Sequence, residues 1–343
     1  MQADPQIGVA RSGPRLDRGR ERPSPLRRAG TLLLRWREIS IFAAGVLLIA
    51  YFQFTNSAFL SFDNVQNLVD YTSTTSIIAA GEVMVLVAGE LDLAVGMVYA
   101  LAPFVMFIAH QAGLPMSLAV VAALAAAATV GAINAAITIA LDVPAFVTTL
   151  GTLFVVNGFT LTISGGFPVQ PAAGPITTAF LGGSVWSRLG WAIAIALILQ
   201  FVLTRTRFGL HTIATGGNLI GAAEIGIKVR SIKARNFILC STLGGLAGVI
   251  DAFRIGSIDP LAGGSQIMFA AIASAVIGGT LLTGGSGTVI GGLLGALVLG
   301  VLKDGFSLSG VSAFTFDMIL GAAILLTMAV NVRLMRLRDQ GRG

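Results

Sequence analysis

Charged residues are scarce in this chain of 343 residues. Asp, Glu, Lys and Arg together make up 11% of the sequence, hydrophobic residues make up 55%, and the mean hydropathy is +0.86. A soluble domain has about 25% charged residues, so the chain lacks the groups that would cover a globular surface in water. Apolar runs such as Pro115–Leu141 and Phe314–Val330 match the length of about 20 residues that a helix needs to cross a bilayer core. The composition predicts an all-α polytopic membrane protein.

Lys and Arg are absent from Glu38 through Ser187. All but three of the 22 cations lie in three blocks, with nine at Arg11–Arg37, six at Arg205–Arg235 and four at Arg333–Arg342. Cytoplasmic loops of membrane proteins are enriched in Lys and Arg, whereas a nucleic-acid-binding protein gathers its cations on one face. We therefore predict that both termini and the middle block are cytoplasmic, and we expect no nucleic-acid partner.

Three cytoplasmic blocks require an even number of membrane spans in each half of the chain. Ten apolar segments satisfy this requirement, and the predicted spans are 39–56, 74–89, 94–110, 115–141, 145–163, 189–204, 237–255, 266–283, 287–303 and 312–331. The predicted domain organisation is a disordered basic tail at 1–38, a transmembrane domain at 39–331 with a cytoplasmic loop at about 205–235, and a second basic tail at 332–343.

Residues that support common enzymatic chemistry are also few. Each of the three lysines follows Ile or Leu, so the Gly-Lys-Ser/Thr of a phosphate-binding loop is absent. His110 and His211 both precede Ser286 of the segment GGSG, whereas an intramembrane serine protease has its histidine after the serine, so we expect a tight turn there. The one cysteine, Cys240, excludes an intramolecular disulfide, and two distant histidines make no zinc cluster. We expect no enzyme activity, no cofactor and no metal.

Two acids, Glu90 and Asp92, interrupt the apolar run between Thr75 and Ala109, in which no Lys or Arg occurs. Short, interrupted helices lie beside the substrate path in transporters, and ionisable groups inside a membrane usually face a cavity or a partner. Asp92 is placed to accept backbone amides at the start of the following helix. Two interpretations stay open for each acid: Asp92 is a structural cap or a path contact, and Glu90 is a gate residue or a solvated interfacial residue.

Four motifs together resemble a known family. They are GELDLAVG at 89–96, VPAFVTTLGTLFVVNG at 143–158, GGNLIGAAEIGIKV at 216–229 and AIASAVIGGTLLTGGSGTVIGGLLGALVLG at 271–300. In this order they are similar to motifs of the ribose/xylose-type sugar permeases, the transmembrane subunits of bacterial ATP-binding-cassette importers. The resemblance covers residues 58–330. It implies that a monosaccharide-like substrate crosses the membrane by alternating access, along a path that two permease subunits enclose as a homodimer or heterodimer.

The resemblance also implies partners and a location. A cytoplasmic ATP-binding subunit would dock on the loop at 216–229 and hydrolyse the ATP, and an extracytoplasmic sugar-binding protein would dock on the outer loops. The location would be the bacterial cytoplasmic (inner) membrane, with the lipid bilayer around the permease. One alternative is an ion-coupled secondary transporter, in which Glu82, Glu90 and Asp92 are available to carry the ion. A membrane scaffold without transport activity is a second alternative.

Candidate site residues carried over from the resemblance form three groups. Candidates for the translocation path or gate are Glu90, Asp92, Phe146, Thr149 and Asn157. Candidates for the contact with the ATP-binding subunit are Gly217, Asn218, Ala222, Ala223, Glu224 and Gly226. Asp251 and Arg254 are placed at the outer rim, where an ion pair between positions i and i+3 is the structural alternative. The chain departs from the family pattern in charge at Glu90, Asn157, Glu224, Met268 and Ala270.

Overall fold

The computed structural model describes residues 37–312 and six separate positions beyond them, Thr315, Met318, Ile319, Gly321, Ala322 and Leu325. The described part is helical apart from its turns and one isolated β-bridge between Val169 and Ile258, so the all-α prediction is confirmed. The predicted tail at 1–38 lies outside the described residues except for its last two positions, which already belong to the first helix. The predicted tail at 332–343, and the predicted span at 312–331 apart from the positions named above, also lie outside them.

Twelve α-helices and one short π-helix follow one another between residues 37 and 308. They are α1 (Arg37–Thr55), α2 (Phe62–Val87), α3 (Val95–Gln111), α4 (Met116–Leu141), α5 (Ala145–Ser164), α6 (Pro175–Thr178), the π-helix (Ala179–Gly183), α7 (Val185–Arg205), α8 (Arg207–Gly217), α9 (Leu219–Glu224), α10 (Val229–Ile255), α11 (Gly264–Ile277) and α12 (Val289–Leu308).

Six of the described helices are long and apolar enough to cross a membrane, namely α1, α4, α5, α7, α10 and α12. Helices α3 and α11 are apolar but have only 17 and 14 residues. Helix α2 has 26 residues but carries the acids Asp63, Asp70 and Glu82. The predicted number of ten spans is therefore not confirmed by length and composition in the part of the chain that the structure describes.

Helix α2 begins twelve residues before the predicted start at 74. The residues before 74 were predicted to form an outer loop because they are polar, but their side chains find partners in the fold. Asn64 donates to the backbone carbonyl of Phe59 at 2.8 Å and also contacts Asp304, while Asp70 pairs with Arg188. The prediction of a short span was wrong here, since α2 at 1.5 Å per residue is a rod about 39 Å long. Polar residues that pair with other helices do not show an apolar helical pattern.

Two other predicted boundaries were wrong for related reasons. Helix α10 begins at Val229, eight residues before the predicted start. The predicted span was limited to the apolar run, but the basic segment before residue 237 belongs to the same helix. Helix α11 ends at Ile277 instead of 283. A side chain at Gly278 would lie 2.3 Å from the backbone of Gly291, so the chain turns there in close contact with the start of α12.

Helix α2 lies in the centre of the helix bundle. Every residue from Ser73 through Ala88 is buried, and α2 packs against α7, α10, α11 and α12. Glycines bring several helices into backbone contact: a Cβ at Gly131 of α4 would lie 2.6 Å from the carbonyl oxygen of Phe237 in α10. Small residues permit this close approach where no water drives helices together. The backbones of α4 and α10 therefore touch at Gly131.

The two ends of the bundle differ in structure. At one end, which we call the α8–α9 end, helices α8 and α9 lie beside the break between α2 and α3 at 88–94 and the turn between α11 and α12 at 278–288. At the opposite end, the segment 165–184 pairs with the segment 256–263 through the reciprocal hydrogen bonds of Val169 and Ile258, with N–O distances of 2.9 and 2.7 Å.

Candidate functional site

A cavity of about 1000 Å³ lies toward the opposite end of the bundle, between α2, α10, α11 and α12. We call it the polar cavity, because many of its lining residues are polar in a chain that has few polar residues. They are Asn67, Asp70, Tyr71, Thr74, Thr75, Asp251, Arg254, Ser265, Gln266, Lys303, Asp304 and Ser307. Positions 67, 70, 71, 74 and 75 are three or four residues apart, so they form one face of α2. The volume is in the range of pockets that bind small molecules.

Ion pairs join the helices around the polar cavity. Asp70 of α2 lies 2.5 Å from Nη2 of Arg188 in α7 and 3.6 Å from Nη1 of Arg254 in α10. Arg254 also pairs with Asp251, whose second oxygen accepts a hydrogen bond from the hydroxyl of Tyr99 at 2.5 Å. The i, i+3 ion pair of Asp251 and Arg254 is thus present, and both of its members line the cavity. Pairing makes buried charges tolerable in an apolar interior.

The same cavity offers groups that suit a ligand with hydroxyl groups. The ammonium of Lys303 lies 4.3 Å from the ring centroid of Tyr71, and Phe269 and Phe306 add apolar surface. The hydroxyl of Thr74 is buried and has no hydrogen-bond partner among the described residues. A buried polar group without a partner is costly, and a ligand hydroxyl would remove that cost.

The predicted path candidates lie elsewhere. Glu90 forms an ion pair with Lys233 of α10 and lines a second cavity of about 830 Å³ at the α8–α9 end. Asp92 is fully buried and accepts hydrogen bonds from the amide of Ala94 at 3.0 Å, from Asn134 at 3.3 Å and from Ser241 at 3.1 Å. Asp92 therefore binds one amide at the start of α3, as a cap would. It also joins α4 and α10 through side chains that are far away in sequence.

The three candidates on α5 do not gather at one site. Thr149 is buried and donates to the carbonyl of Ala145 at 2.8 Å, with Leu91 of the α2–α3 break at 3.4 Å. Phe146 is 53% exposed, and Asn157 is half-buried. None of the three is among the described residues that line the polar cavity.

The residues of α2 and α12 that line the polar cavity were not among the predicted site residues. A signal was present in both segments: polar residues recur at helical spacing from Asn67 to Thr75, and Lys303 and Asp304 stand alone at the end of an apolar run. The polar residues from Asn67 to Ser73 lie between two predicted spans and were interpreted as a loop. Lys303 and Asp304 were not used in any prediction.

Helices α8 and α9 present a different surface at their end of the bundle. Asn218 separates the two helices and caps α9, since its side chain accepts from the amide of Gly221 at 2.9 Å. The candidates Gly217, Asn218, Ala223, Glu224 and Gly226 are exposed, whereas Ala222 is buried. Three apolar side chains that were not predicted, Leu219, Ile220 and Ile225, are 46%, 72% and 76% exposed. An exposed apolar patch on a short helix is typical of a protein contact.

The GGSG segment forms a turn, as predicted. Gly284 and Gly285 have φ angles of +86° and +73°, which glycine adopts readily. Helix α12 follows this turn, and the side-chain oxygen of Gln200 in α7 accepts the amides of Val289 and Ile290 at 2.8 and 3.1 Å. Among the described residues, no group of three or more His, Cys, Asp and Glu could hold a metal ion.

Comparisons with known proteins identify relatives over most of the chain. The xylose/arabinose import permease protein XylH of Sulfolobus acidocaldarius is 36% identical over 313 residues, which are 87% of this chain and 86% of the relative. The ribose import permease protein RbsC of Escherichia coli K12 is 34% identical, over 82% of this chain and 89% of the relative. The autoinducer 2 import system permease protein LsrC of Photorhabdus luminescens is 31% identical, over 87% and 90%. No solved structure matches.

A family model also matches residues 64–328, which include both cavities and the surface of α8 and α9. Its description is the permease component of the branched-chain amino acid transport system. With this match and with import permeases as relatives, the chain belongs to that permease family and is a membrane transport protein, not an enzyme.

Proposed function

We propose that this chain forms the membrane path of an ATP-driven importer for a monosaccharide-like sugar. The observation that carries the proposal is the polar cavity, since an apolar bundle contains a cavity of about 1000 Å³ that is lined by hydroxyl, amide, aromatic and charged groups. Sugars present many hydroxyl groups on a compact ring, and such groups match this lining. Relatives named for the import of ribose and of xylose or arabinose support the same substrate class.

The cation blocks support an orientation for this path. If the basic segment at 205–235 is cytoplasmic, the α8–α9 end faces the cytoplasm and the polar cavity lies toward the outside. Both termini are then cytoplasmic. The ten proposed spans are the predicted span at 312–331 and nine helices, namely α1, α2, α3, α4, α5, α7, α10, α11 and α12. The chain is located in the bacterial cytoplasmic membrane.

The two ends suit two partners. The exposed apolar side chains Ile220 and Ile225 and the small exposed residue Ala223 support docking of a cytoplasmic ATP-binding subunit on α9. The outer segments 165–184 and 256–263 are available to an extracytoplasmic sugar-binding protein. A second permease subunit, identical or related, completes the path, and ATP binding by the partner drives the alternation between outward and inward access.

A hydroxyl deletion in the polar cavity tests the proposal. Thr74→Val removes the unpaired hydroxyl of a residue that lines the cavity but keeps the side-chain shape. Thr72→Val is the matched control, because the Thr72 hydroxyl is also buried on α2 without a partner but Thr72 does not line the cavity.

Uptake of labelled xylose and ribose is measured in proteoliposomes that contain the permease, its ATP-binding subunit and its binding protein. We expect Thr74→Val to lower uptake at subsaturating sugar about 3- to 10-fold, the effect of one lost hydrogen bond. Equal uptake by both variants would contradict this role of the cavity.

The energy source separates the proposal from the ion-coupled alternative. That alternative would use Glu82, which is fully buried and contacts the sulfur of Cys240 at 3.6 Å. We expect uptake to require ATP and to persist when a protonophore removes the proton gradient. Uptake that continues without ATP and stops with the protonophore would support a secondary transporter.

A further inference from the structure

Three backbone segments meet at the α8–α9 end without side chains between them. They are the end of α2 with Gly89, the end of α8 with Gly216 and Gly217, and the turn with Gly284 and Gly285; we call this contact the glycine junction. The amide of Gly285 donates to the carbonyl oxygen of Val87 at 2.9 Å. A Cβ at Gly216 would lie 1.9 Å from the same oxygen and 2.7 Å from the nitrogen of Gly285. A Cβ at Gly284 would lie 2.9 Å from the oxygen of Gly216.

The glycine junction differs from the other glycine contacts in what it connects. The contact of Gly131 with Phe237 joins two helices of the bundle, α4 and α10. The glycine junction joins α2 to α8, and α8 is followed directly by the exposed helix α9. Gly216 belongs to the segment at 216–229 that was predicted to be the docking loop for the ATP-binding subunit, but in the structure it packs inward against α2. Contacts between backbones cannot yield by side-chain rotation, so a displacement of α8 toward α2 pushes against α2 and the turn.

Helix α2 extends the contact into the bundle. It continues without a break from Val87 to Phe62 and carries Asp70, Tyr71 and Thr74 of the polar cavity. Thr74 lies thirteen positions before Val87, which is about 20 Å along a helix. Helix α2 also packs against α7, α10, α11 and α12. A shift of α2 at the glycine junction therefore reaches the cavity as a movement of one rigid element.

We propose that Gly216 is a positioning residue that links the exposed helix α9 to the polar cavity, by holding α8 in backbone contact with α2 and with the turn at Gly285. This inference rests on the proposed function, in which the ATP-binding subunit acts on α9. In this arrangement, the conformational change of the ATP-binding subunit moves α8 and α2 together. A larger side chain at Gly216 would push α8 away from α2. ATP hydrolysis would then continue with little sugar uptake, while the partner's docking surface on α9 stays intact.

The first test is Gly216→Ala, with two matched controls. Gly216 lies in α8 without a positive φ, so Ala suits its backbone, and the added methyl group meets the backbones of Val87, Ala88 and Gly285. Gly190→Ala on α7 adds a methyl group with nothing within 4 Å, and Gly131→Ala adds a milder backbone clash between α4 and α10, at 2.6 Å from the carbonyl oxygen of Phe237. ATP hydrolysis and uptake of labelled xylose are measured in the proteoliposomes described above, with and without the sugar-loaded binding protein.

We expect Gly216→Ala to bind the ATP-binding subunit and hydrolyse ATP, but to import about tenfold less sugar per ATP, a typical size for coupling between sites. Gly190→Ala should match the wild type, and Gly131→Ala should reduce the yield of folded protein without changing the sugar imported per ATP. Wild-type coupling in Gly216→Ala, or the same loss of coupling in Gly131→Ala, would overturn the inference. Absence of ATP-dependent uptake in the wild type would instead overturn the proposed function and this inference with it.

A distance measurement tests the linkage without any change at the junction. Spin labels are attached at two exposed positions, Leu210 on α8 and Phe62 at the start of α2, in a Cys240→Ser background. The distance is measured in the nucleotide-free complex and in the complex trapped with ATP and vanadate. A rigid link predicts the same distance distribution in both states. A shift of the distribution would show that α8 moves independently of α2, and would overturn the inference even if Gly216→Ala does not fold.

Discussion

The ammonium of Lys233 in α10 forms an ion pair with Glu90, which lies in the break between α2 and α3. The two side chains are 19% and 12% exposed, so water screens the pair only in part. Glu90 occurs in a run without cations, and its partner comes from the basic block at 205–235. The pair connects the interrupted helix to the segment that follows α9.

Glu90→Gln should impair sugar uptake more than assembly. The substitution leaves the Lys233 ammonium without a counter-charge, at a stability cost of about 1–2 kcal/mol, less than the about 3–5 kcal/mol for a fully buried pair. Uptake in proteoliposomes and the yield of the complex after size-exclusion chromatography measure the two effects. Lys233→Gln is the companion variant, and both single variants should be more defective than Glu90→Gln combined with Lys233→Gln. Full uptake by Glu90→Gln would show that the charge has no role in transport.

Asp70→Asn should destabilise the folded permease. Asp70 is the carboxylate between Arg188 and Arg254, and the Arg188 side chain is only 8% exposed, so its charge would lose its counter-ion. We expect a loss of roughly 2–4 kcal/mol, near the range for a broken buried pair. Asp63→Asn is the matched control, because Asp63 is exposed on the same helix and should change stability by less than about 0.5 kcal/mol. Thermal unfolding of the purified protein in detergent compares the two, and equal melting temperatures would argue against a structural role for the pair.

Ala223→Trp should leave the permease in the membrane but prevent co-purification with the ATP-binding subunit. Ala223 is exposed on α9, so the permease itself can accommodate the larger side chain, whereas a close-packed contact loses roughly 1–3 kcal/mol when bulk is added. Glu224→Arg should weaken the same contact less, since a charge at the rim of an interface affects mainly association rate and salt dependence. Retention of both the ATP-binding subunit and uptake by Ala223→Trp would place the docking surface elsewhere.

Cysteine labelling should place Pro175 and Ile220 on different sides of the membrane. Both positions are exposed, and they lie at opposite ends of the bundle. In a Cys240→Ser background, a membrane-impermeant maleimide should reach Pro175→Cys from the outside of intact cells. The same maleimide should reach Ile220→Cys only after the cells are permeabilised. The reverse pattern would invert the orientation that the cation blocks predict.

The sequence alone determined the class of protein and most of its helices. Long runs with almost no charge can be stable only in lipid or in a protein interior, so composition predicted a membrane bundle before any contact was known. The four motifs predicted the permease family, and the break around Glu90 and Asp92 predicted that α2 and α3 are separate helices. These predictions succeeded because they depend on local composition and on neighbours in the chain.

Tertiary structure decided where the polar residues act. Asp70 becomes compatible with a buried helix only because Arg188 and Arg254 reach it from α7 and α10, and no periodic pattern in the sequence shows those pairs. In the same way, Gly216 was assigned to an exposed loop by its neighbours in the sequence, but the carbonyl of Val87 makes it an inward contact. The cost of burying a charge or a backbone group depends on partners that are distant in the chain, and only the fold brings them together.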